Sequence, residues 1–309
     1  MPLLTVPAED CLVGDQAREL RALVTRRSAR GEHSLSNDTR QCRSLAILSG
    51  KGGVGKSVLA LNLAIALARR GDSVCLWDAS PGLGNLSLLC GQNGYWNLAH
   101  MLAGSRNLDE IVLHGPCGIQ IVPGASHLLE TSTPAPRIVR TLGELDHQFD
   151  WLIVDTGVAA SHVSRQFARS ADCALLVTTP EPTAVAETYA AMKSLAASDE
   201  CRLSLVVNQT DSELQAQQIL DRLRHAARKF LHCDVGRAGS IPRDEAVCHS
   251  VSSRQPLMAV NSGGSMQLAF EQFAERLHRT VVARRGTSFT EGVLASHAGR
   301  PQRDAATET

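Results

Sequence analysis

Residues Ser44–Ala68 read SLAILSGKGGVGKSVLALNLAIALA, and this stretch decides the fold. It begins with Leu45–Ser49, which is apolar enough for a buried strand, and it continues as an apolar helix from Lys56 onward. The loop from Gly50 to Ser57 satisfies the pattern G-x-x-x-x-G-K-[ST]. Such a loop between a strand and a helix is typical of a site where backbone N–H groups surround a polyphosphate. The sequence therefore predicts a nucleoside triphosphate site.

The loop pattern also predicts what individual side chains do. The Lys56 ammonium is expected to pair with the β and γ phosphates, and the Ser57 hydroxyl is expected to bind Mg²⁺. Asp155 follows the apolar run Trp151–Val154, and an acid at the carboxyl end of a strand predicts a further Mg²⁺ contact, partly through water. The alternative for Asp155 is a loop acid that caps the next helix. The loop residues expected to contact the nucleotide are Gly50, Lys51, Gly52, Gly53, Val54, Gly55, Lys56, Ser57 and Val58.

Composition argues against several classes of protein. The 309 residues carry 31 basic and 31 acidic side chains, so a general electrostatic attraction to DNA is not expected. The chain has no apolar run of about 18 residues that would predict a membrane span, and its start lacks the order of a signal peptide. Nine cysteines without a C-x-x-C pair indicate reduced thiols in the cytoplasm rather than a zinc site or a disulfide framework.

Strands and helices alternate along the chain after the first helix. The apolar runs that predict further strands include Ser73–Trp77, Gly118–Val122, Trp151–Val154, Ala174–Thr178 and Leu203–Val207. This alternation predicts an α/β fold with three layers, a mostly parallel twisted sheet flanked by helices, and a ligand at the carboxyl ends of the strands. The expected domains are an N-terminal helix in residues 1–28, a flexible linker at 29–43, a P-loop domain at 44–285 and a disordered tail at 286–309.

A second lysine in the loop narrows the class of P-loop protein. Residues Lys51–Ser57 read K-G-G-V-G-K-S, the deviant Walker A signature, and the chain resembles the MinD/ParA family of ATPases. The resemblance implies ATP and Mg²⁺ as ligands and a homodimer that forms with ATP, in which Lys51 reaches the partner's nucleotide. It also implies that Asn208 and Pro242 contact the adenine. An Asn at the end of a strand can instead cap a turn.

The segment after the second predicted strand departs from the family pattern. Asp78–Gly82 reads D-A-S-P-G where D-x-D is usual, so Ser80 stands where relatives carry an acid that orients or deprotonates the attacking water. Serine is a poor base, and loss of one such group costs about 10²–10⁴-fold in rate. Asp78 remains available for Mg²⁺ or water. We therefore expect an ATPase with tight ATP binding and slow turnover, whose catalytic residues are Lys51, Lys56, Asp78 and Asp155.

The N-terminal segment predicts a protein partner. Residues 12–27 have the pattern of an amphipathic helix, and Asp15–Arg21 reads D-Q-A-R-E-L-R. This resembles the D-Q-A-x-x-L-R activator helix of the flagellar branch of the family (FlhG, also called YlxH, with FleN as a relative). The resemblance implies that the helix stimulates a signal-recognition-type GTPase similar to FlhF and offers Gln16 to that partner's nucleotide. A helix that packs on its own domain is the alternative.

The resemblance implies an ATP-dependent dimeric switch that regulates the number or placement of flagella, with flagellar basal-body proteins as further partners. Two alternatives stay open. One is a nucleotide-locked scaffold without hydrolysis, and the other is a ParA- or MinD-like ATPase that positions DNA or the division site. The neutral charge does not favour DNA. The last predicted helix, residues 265–285, carries several arginines near Val281 and Val282, so a peripheral contact at the inner face of the membrane also stays open.

Overall fold

The computed structural model describes residues 42–80, 85–124, 148–196, 201–260, 263–284 and 288–298, together with residues 143, 145 and 286. The chain divides into the units Met1–Arg40 and Gln41–Thr309, and the described residues belong to the second unit. The predicted N-terminal helix, with Gln16, and residues 29–41 of the linker lie outside the described residues. Their roles stay predictions.

The described residues form one sheet of eight strands. The strands are β1 (Arg43–Ser49), β2 (Val74–Ala79), β3 (Leu113–His114), β4 (Gln120–Val122), β5 (Trp151–Val158), β6 (Cys173–Thr178), β7 (Leu203–Thr210) and β8 (Gly236–Pro242). Their order across the sheet is β3–β4–β2–β5–β1–β6–β7–β8. All neighbouring pairs are parallel except β3 with β4, which is antiparallel at one edge. The carboxyl ends of the parallel strands therefore meet along one edge, with β1 near the centre.

Helices connect the strands. They are α1 (Lys56–Arg69), α2 (Asn85–Leu89), α3 (Leu98–Leu102), α4 (Leu108–Ile111), α5 (His162–Ser170), α6 (Pro182–Leu195), α7 (Glu213–Ala226), α8 (Glu245–Ser252), α9 (Ser265–Thr280) and α10 (Phe289–Ala298). Pro116–Gly118 and Leu257–Ala259 form 3₁₀ turns, and Ala227–Leu231 forms a π-helical turn that continues α7.

The core has an apolar layer on each face of the sheet. Successive residues of a strand point to opposite faces, so Leu45 and Ile47 of β1 pack in the cluster that contains α1 and α9. Ala46 packs with Phe167 of α5 in a second cluster on the other face. Every residue of α1 from Leu59 to Leu67 is buried. The predicted three-layer, mostly parallel α/β fold is confirmed.

The prediction of a disordered tail from residue 286 is wrong for residues 289–298, which form α10. Phe289 and Val293 of this helix are buried, and the Phe289 ring lies 5.9 Å from the ring of Phe167 and 6.5 Å from that of Trp77. The helix contains Gly292, which lowers helix propensity, and ten residues are too few for a stable isolated helix. The helix is therefore stabilised by burial against α5 rather than by its own propensity.

Part of the segment considered for membrane contact packs on the domain. Val281 is buried, whereas Val282 is exposed. The Arg284 guanidinium donates to the Arg169 carbonyl at 3.0 Å, and the Arg284 N–H donates to the Asp172 carboxylate at 2.6 Å. Among the described residues, no helix has both the length and the apolar character that a bilayer crossing requires.

Candidate functional site

The loop between β1 and α1 leaves the start of α1 open to a ligand. Gly55 is the N-cap of α1 with φ of 87°, a left-handed conformation that favours glycine. Among the described residues, no side chain caps the first N–H groups of α1, and the first turn of this helix contains no acidic residue. The first N–H groups of a helix have no partner within it and carry a partial positive charge. This end of α1 is therefore suited to bind an anion.

Gly50 places the loop directly against another helix. A Cβ atom on Gly50 would lie 2.2 Å from the carbonyl carbon of Glu187 in α6, a distance that real contacts do not reach. At the other end of the loop, the Asn208 side-chain amide donates to the Val54 carbonyl at 2.9 Å. The loop is thus fixed between α6 and the end of β7.

Lys56 is a half-buried cation within the loop. Its ammonium donates to the Ser49 hydroxyl at 3.0 Å, and that hydroxyl donates to the Lys51 carbonyl at 2.5 Å. Burial lowers the pKa of Lys56, and the nearby Asp155 carboxylate partly offsets this effect. The ammonium is partly desolvated and has no hydrogen-bonded carboxylate among the described residues, so a phosphate oxygen would stabilise its charged form.

Asp155 is a fully buried acid close to Lys56 and Ser57. Neither carboxylate oxygen has a hydrogen-bond partner among the described residues, although the Ser57 hydroxyl is near enough to favour the charged form. Burial, and next the Asp78 carboxylate, raise the pKa of Asp155 to about 7. An unpartnered buried carboxylate is costly, and a divalent cation held by hard oxygen ligands would relieve that cost. Asp155 and the Ser57 hydroxyl therefore fit Mg²⁺.

Asp78 lies next to Asp155 on the neighbouring strand, since the two are paired in register between β2 and β5. Its carboxylate accepts from the Ser80 hydroxyl at 2.7 Å, from the Ser80 N–H at 3.3 Å and from the Leu86 N–H at 3.3 Å. Asp78 thus joins the end of β2 to the start of α2. The prediction that it serves Mg²⁺ or water stays a prediction.

Lys51 is held by its own chain in this structure. Its ammonium lies 2.6 Å from a Glu181 carboxylate oxygen and donates to the Thr183 hydroxyl at 3.1 Å. Hydrogen bonds from Lys51 and then from Thr183 hold the pKa of Glu181 below its ordinary value. The predicted reach of Lys51 to a partner's nucleotide therefore requires that this exposed ion pair opens.

Two adjoining cavities lie beside the loop. The phosphate cavity has a volume of about 560 Å³ and is lined by Gly52, Gly53, Gly55, Lys56, Ser57, Val58, Ser80, Leu88, Leu89, Gly157, Val158, Val251 and Arg254. The base cavity, of about 460 Å³, shares Gly55, Val58 and Val251 with it. Its other lining residues include Asn208, Gln209, Pro242, Val247, Cys248 and Phe270. The phosphate cavity offers cations and N–H groups, which suit the phosphate chain of a nucleotide. The base cavity is mostly apolar, which suits the base.

Three lining residues, Cys248, Val251 and Arg254, were missed by the sequence reasoning. Cys248 and Val251 lie with Val247 on one face of α8, whose start is capped by the Asp244 side chain. Their helical spacing after Asp244 is the signal that would have found them. The contribution of Arg254 depends on the turn that ends α8, and no sequence pattern indicates where that turn places it.

Comparison with known proteins places these features in a family. The model of the CobQ/CobB/MinD/ParA nucleotide binding domain matches residues 45–257. The antiactivator FleN of Pseudomonas aeruginosa is 31% identical over 238 residues, which cover 75% of this chain and 85% of FleN. The flagellum site-determining protein YlxH of Helicobacter pylori is 29% identical over 235 residues, which cover 74% of this chain and 80% of YlxH.

A solved structure has the same fold. The cell division ATPase MinD of Pyrococcus furiosus has a TM-score of 0.62 and 26% identity, and the match covers 77% of this chain and 98% of MinD. The family match includes the loop, Asp155 and Asn208, and it ends just beyond α8. The predicted resemblance is confirmed, and this chain belongs to the CobQ/CobB/MinD/ParA family.

Proposed function

We propose that this protein is an ATP-dependent switch that regulates the number or placement of flagella. The observation that carries the proposal is the buried Asp155 carboxylate, unpartnered among the described residues, beside Lys56, Ser57 and the open start of α1. The names of FleN and YlxH, an antiactivator and a flagellum site-determining protein, support the flagellar assignment.

ATP binding would use groups that are already in place. The N–H groups at the start of α1 and the Lys56 ammonium would bind the phosphate chain. Ser57 and Asp155 would hold Mg²⁺, which supplies positive charge to the phosphate oxygens when it is bound. Asn208 and Pro242 line the cavity that would receive the base, so the predicted adenine contacts are compatible with the structure.

Slow hydrolysis follows from the groups that line the phosphate cavity. None of the described residues that line this cavity has a carboxylate side chain. The Ser80 hydroxyl donates a hydrogen bond to the Asp78 carboxylate. Activation of water needs a positioned base with a suitable pKa, and a serine hydroxyl that already serves as a donor is a poor one. The ATP-bound state would therefore be long-lived. This same feature supports the alternative of a nucleotide-locked scaffold.

The output of the switch would be a change of partner. With ATP bound, Lys51 would leave Glu181 and contact the nucleotide of a second copy, which forms the homodimer. The N-terminal helix at residues 12–27 would then act on a GTPase similar to FlhF, with Gln16 beside that partner's nucleotide. Flagellar basal-body proteins are the further partners that this proposal expects.

The first experiment measures nucleotide binding and assembly together. The purified full chain should bind Mg-ATP in a calorimetric titration and should elute as a dimer with ATP and as a monomer with ADP in size-exclusion chromatography with light scattering. Lys51→Ala should keep most of the ATP affinity and lose the dimer. A chain that does not bind Mg-ATP, or that binds it and stays monomeric, contradicts the proposal.

The second experiment tests the N-terminal helix. A peptide of residues 1–30 should stimulate GTP hydrolysis by a purified FlhF-type GTPase, and the peptide with Gln16→Ala should stimulate it far less. Equal stimulation by the two peptides would show that Gln16 does not act as proposed.

A further inference from the structure

Arg254 occupies a backbone position that favours glycine. It follows α8 with φ of 55°, in the left-handed region. The Arg254 N–H donates to the Val251 carbonyl, and the Gln255 N–H donates to the Ser250 carbonyl, which is the hydrogen-bond pattern of a Schellman motif. At the left-handed position of this motif glycine is usual, because a Cβ atom is unfavourable there. The arginine therefore costs stability that a glycine at this position would not cost.

Arg254 is one of the residues that line the phosphate cavity. The side chain is exposed, and no hydrogen bond or ion pair joins it to another described residue. Lys56 is the other charged residue that lines this cavity in the described part of the chain. Two cationic residues, with no carboxylate among the described residues that line the cavity, favour an anion as its ligand.

We propose that Arg254 binds the phosphate chain of the nucleotide and positions it from the α8 side of the cavity, in addition to Lys56. The inference rests on the proposed ATP binding and adds a residue for which the P-loop pattern gives no role. A guanidinium can bond two phosphate oxygens at once, which fixes orientation as well as adding affinity. The left-handed backbone of Arg254 would then be kept, despite its cost in stability, because the side chain contributes to ligand binding. Strained residues are common at functional sites for this reason.

Substitutions of Arg254 can separate an effect on folding stability from an effect on ligand binding, because they change the charge and the backbone strain independently. Arg254→Gly removes the charge and relieves the left-handed residue, so its Tm should equal or exceed that of the native chain. Arg254→Gln removes the charge and keeps the strain, and Arg254→Lys keeps a charge without the planar fork. Arg279→Gln removes an exposed arginine that lies on α9 and does not line the phosphate cavity, so it is the matched control.

The measurement is calorimetric titration of the full chain with Mg-ATP, Mg-ADP and adenosine. Loss of a charged hydrogen bond to phosphate should weaken Mg-ATP binding by about tenfold to a hundredfold in Arg254→Gly and Arg254→Gln. Arg254→Lys should lose less, and adenosine affinity should stay within about twofold in all variants. The control should bind all three ligands as the native chain does.

Two results would overturn the inference and leave the proposed function intact. One is native Mg-ATP affinity in both Arg254→Gly and Arg254→Gln, which would make Arg254 a solvated surface residue. The other is an equal loss for adenosine and Mg-ATP, which would mean that the residue shapes the base cavity. A native chain with no affinity for Mg-ATP would overturn the proposed function and this inference together.

Discussion

Ser80→Asp should accelerate ATP hydrolysis, because it supplies a carboxylate base and none of the described residues that line the phosphate cavity has one. Ser80 lines that cavity, and its hydroxyl donates to the Asp78 carboxylate at 2.7 Å. A positioned general base contributes about 10²–10⁴-fold to the rate. We therefore expect phosphate release to rise by about two to four orders of magnitude, with the ATP affinity nearly unchanged, since the loop and Lys56 are untouched.

The same substitution should destabilise the metal-free protein. It removes a hydrogen bond to a carboxylate, worth about 1.5–3 kcal/mol. It also brings a third acid close to Asp78 and Asp155. Repulsion between two charges about 4 Å apart is about 1 kcal/mol in water and about 4 kcal/mol at an effective dielectric constant of 20, and half-buried Ser80 lies between these limits. The free energy of unfolding in EDTA should thus fall by several kcal/mol. Because the affinity for Mg-ATP is expected to be nearly unchanged, Mg-ATP should stabilise the variant and the native chain by similar amounts.

The assay is single-turnover phosphate release with enzyme in excess, together with thermal melts in EDTA and in Mg-ATP. Ser80→Asn is the control, because it has a similar size and shape to aspartate but is neutral and cannot accept the proton. The reasoning is refuted if Ser80→Asp binds Mg-ATP normally and yet releases phosphate no faster than Ser80→Asn.

Three further predictions concern Gly50, Glu181 and Asp155. Gly50→Ala should lower the free energy of unfolding by at least about 1–3 kcal/mol, because its Cβ would overlap the backbone of Glu187, whereas Gly52→Ala, with nothing within 4 Å, should melt as the native chain does. Glu181→Gln should shift the ATP-dependent dimer equilibrium toward the dimer by less than about fivefold in light scattering, since it frees Lys51 from an exposed ion pair. Glu187→Gln, in the helix that follows Glu181, should not shift it. Asp155 has a pKa of about 7 when folded against 3.8 ordinarily, so the folded state binds more protons between about pH 4 and 7. The free energy of unfolding in EDTA should therefore fall as pH rises through this window, by at most about 1.4 kcal/mol per pH unit, and Asp155→Asn should flatten the profile.

The parts of the site that follow from local sequence were predictable. The loop between Gly50 and Ser57, the strand that ends near Asp155 and the alternation of strands and helices each depend on residues close together in the chain. The fold and the family were therefore correct. Contacts between distant segments were not predictable in this way. The pair of Lys51 with Glu181 joins residues that are 130 positions apart.

Residue propensity alone also failed where tertiary packing decides the outcome. The α10 segment is short and contains Gly292, so its own helix propensity is weak, yet Phe289 and Val293 are buried against the rest of the domain. Leu214 of α7 is apolar and yet 65% exposed, because the buried face of α7 is set by Ala216, Leu220 and Leu223. In both cases the neighbouring elements, rather than the pattern within the helix, determine which side chains are covered.

The enclosure of α1 has a mechanical consequence for any signal that starts at the nucleotide. A helix with nine consecutive buried residues has no free side toward which it can slide or rotate, because close-packed interiors are nearly incompressible. We therefore expect a change at the terminal phosphoryl group to be transmitted through the edge of the site: the end of β2 at Ser80, the residues after β5 and the turn that follows α8. Those three short stretches are where labels for distance or mobility measurements would report a change of state.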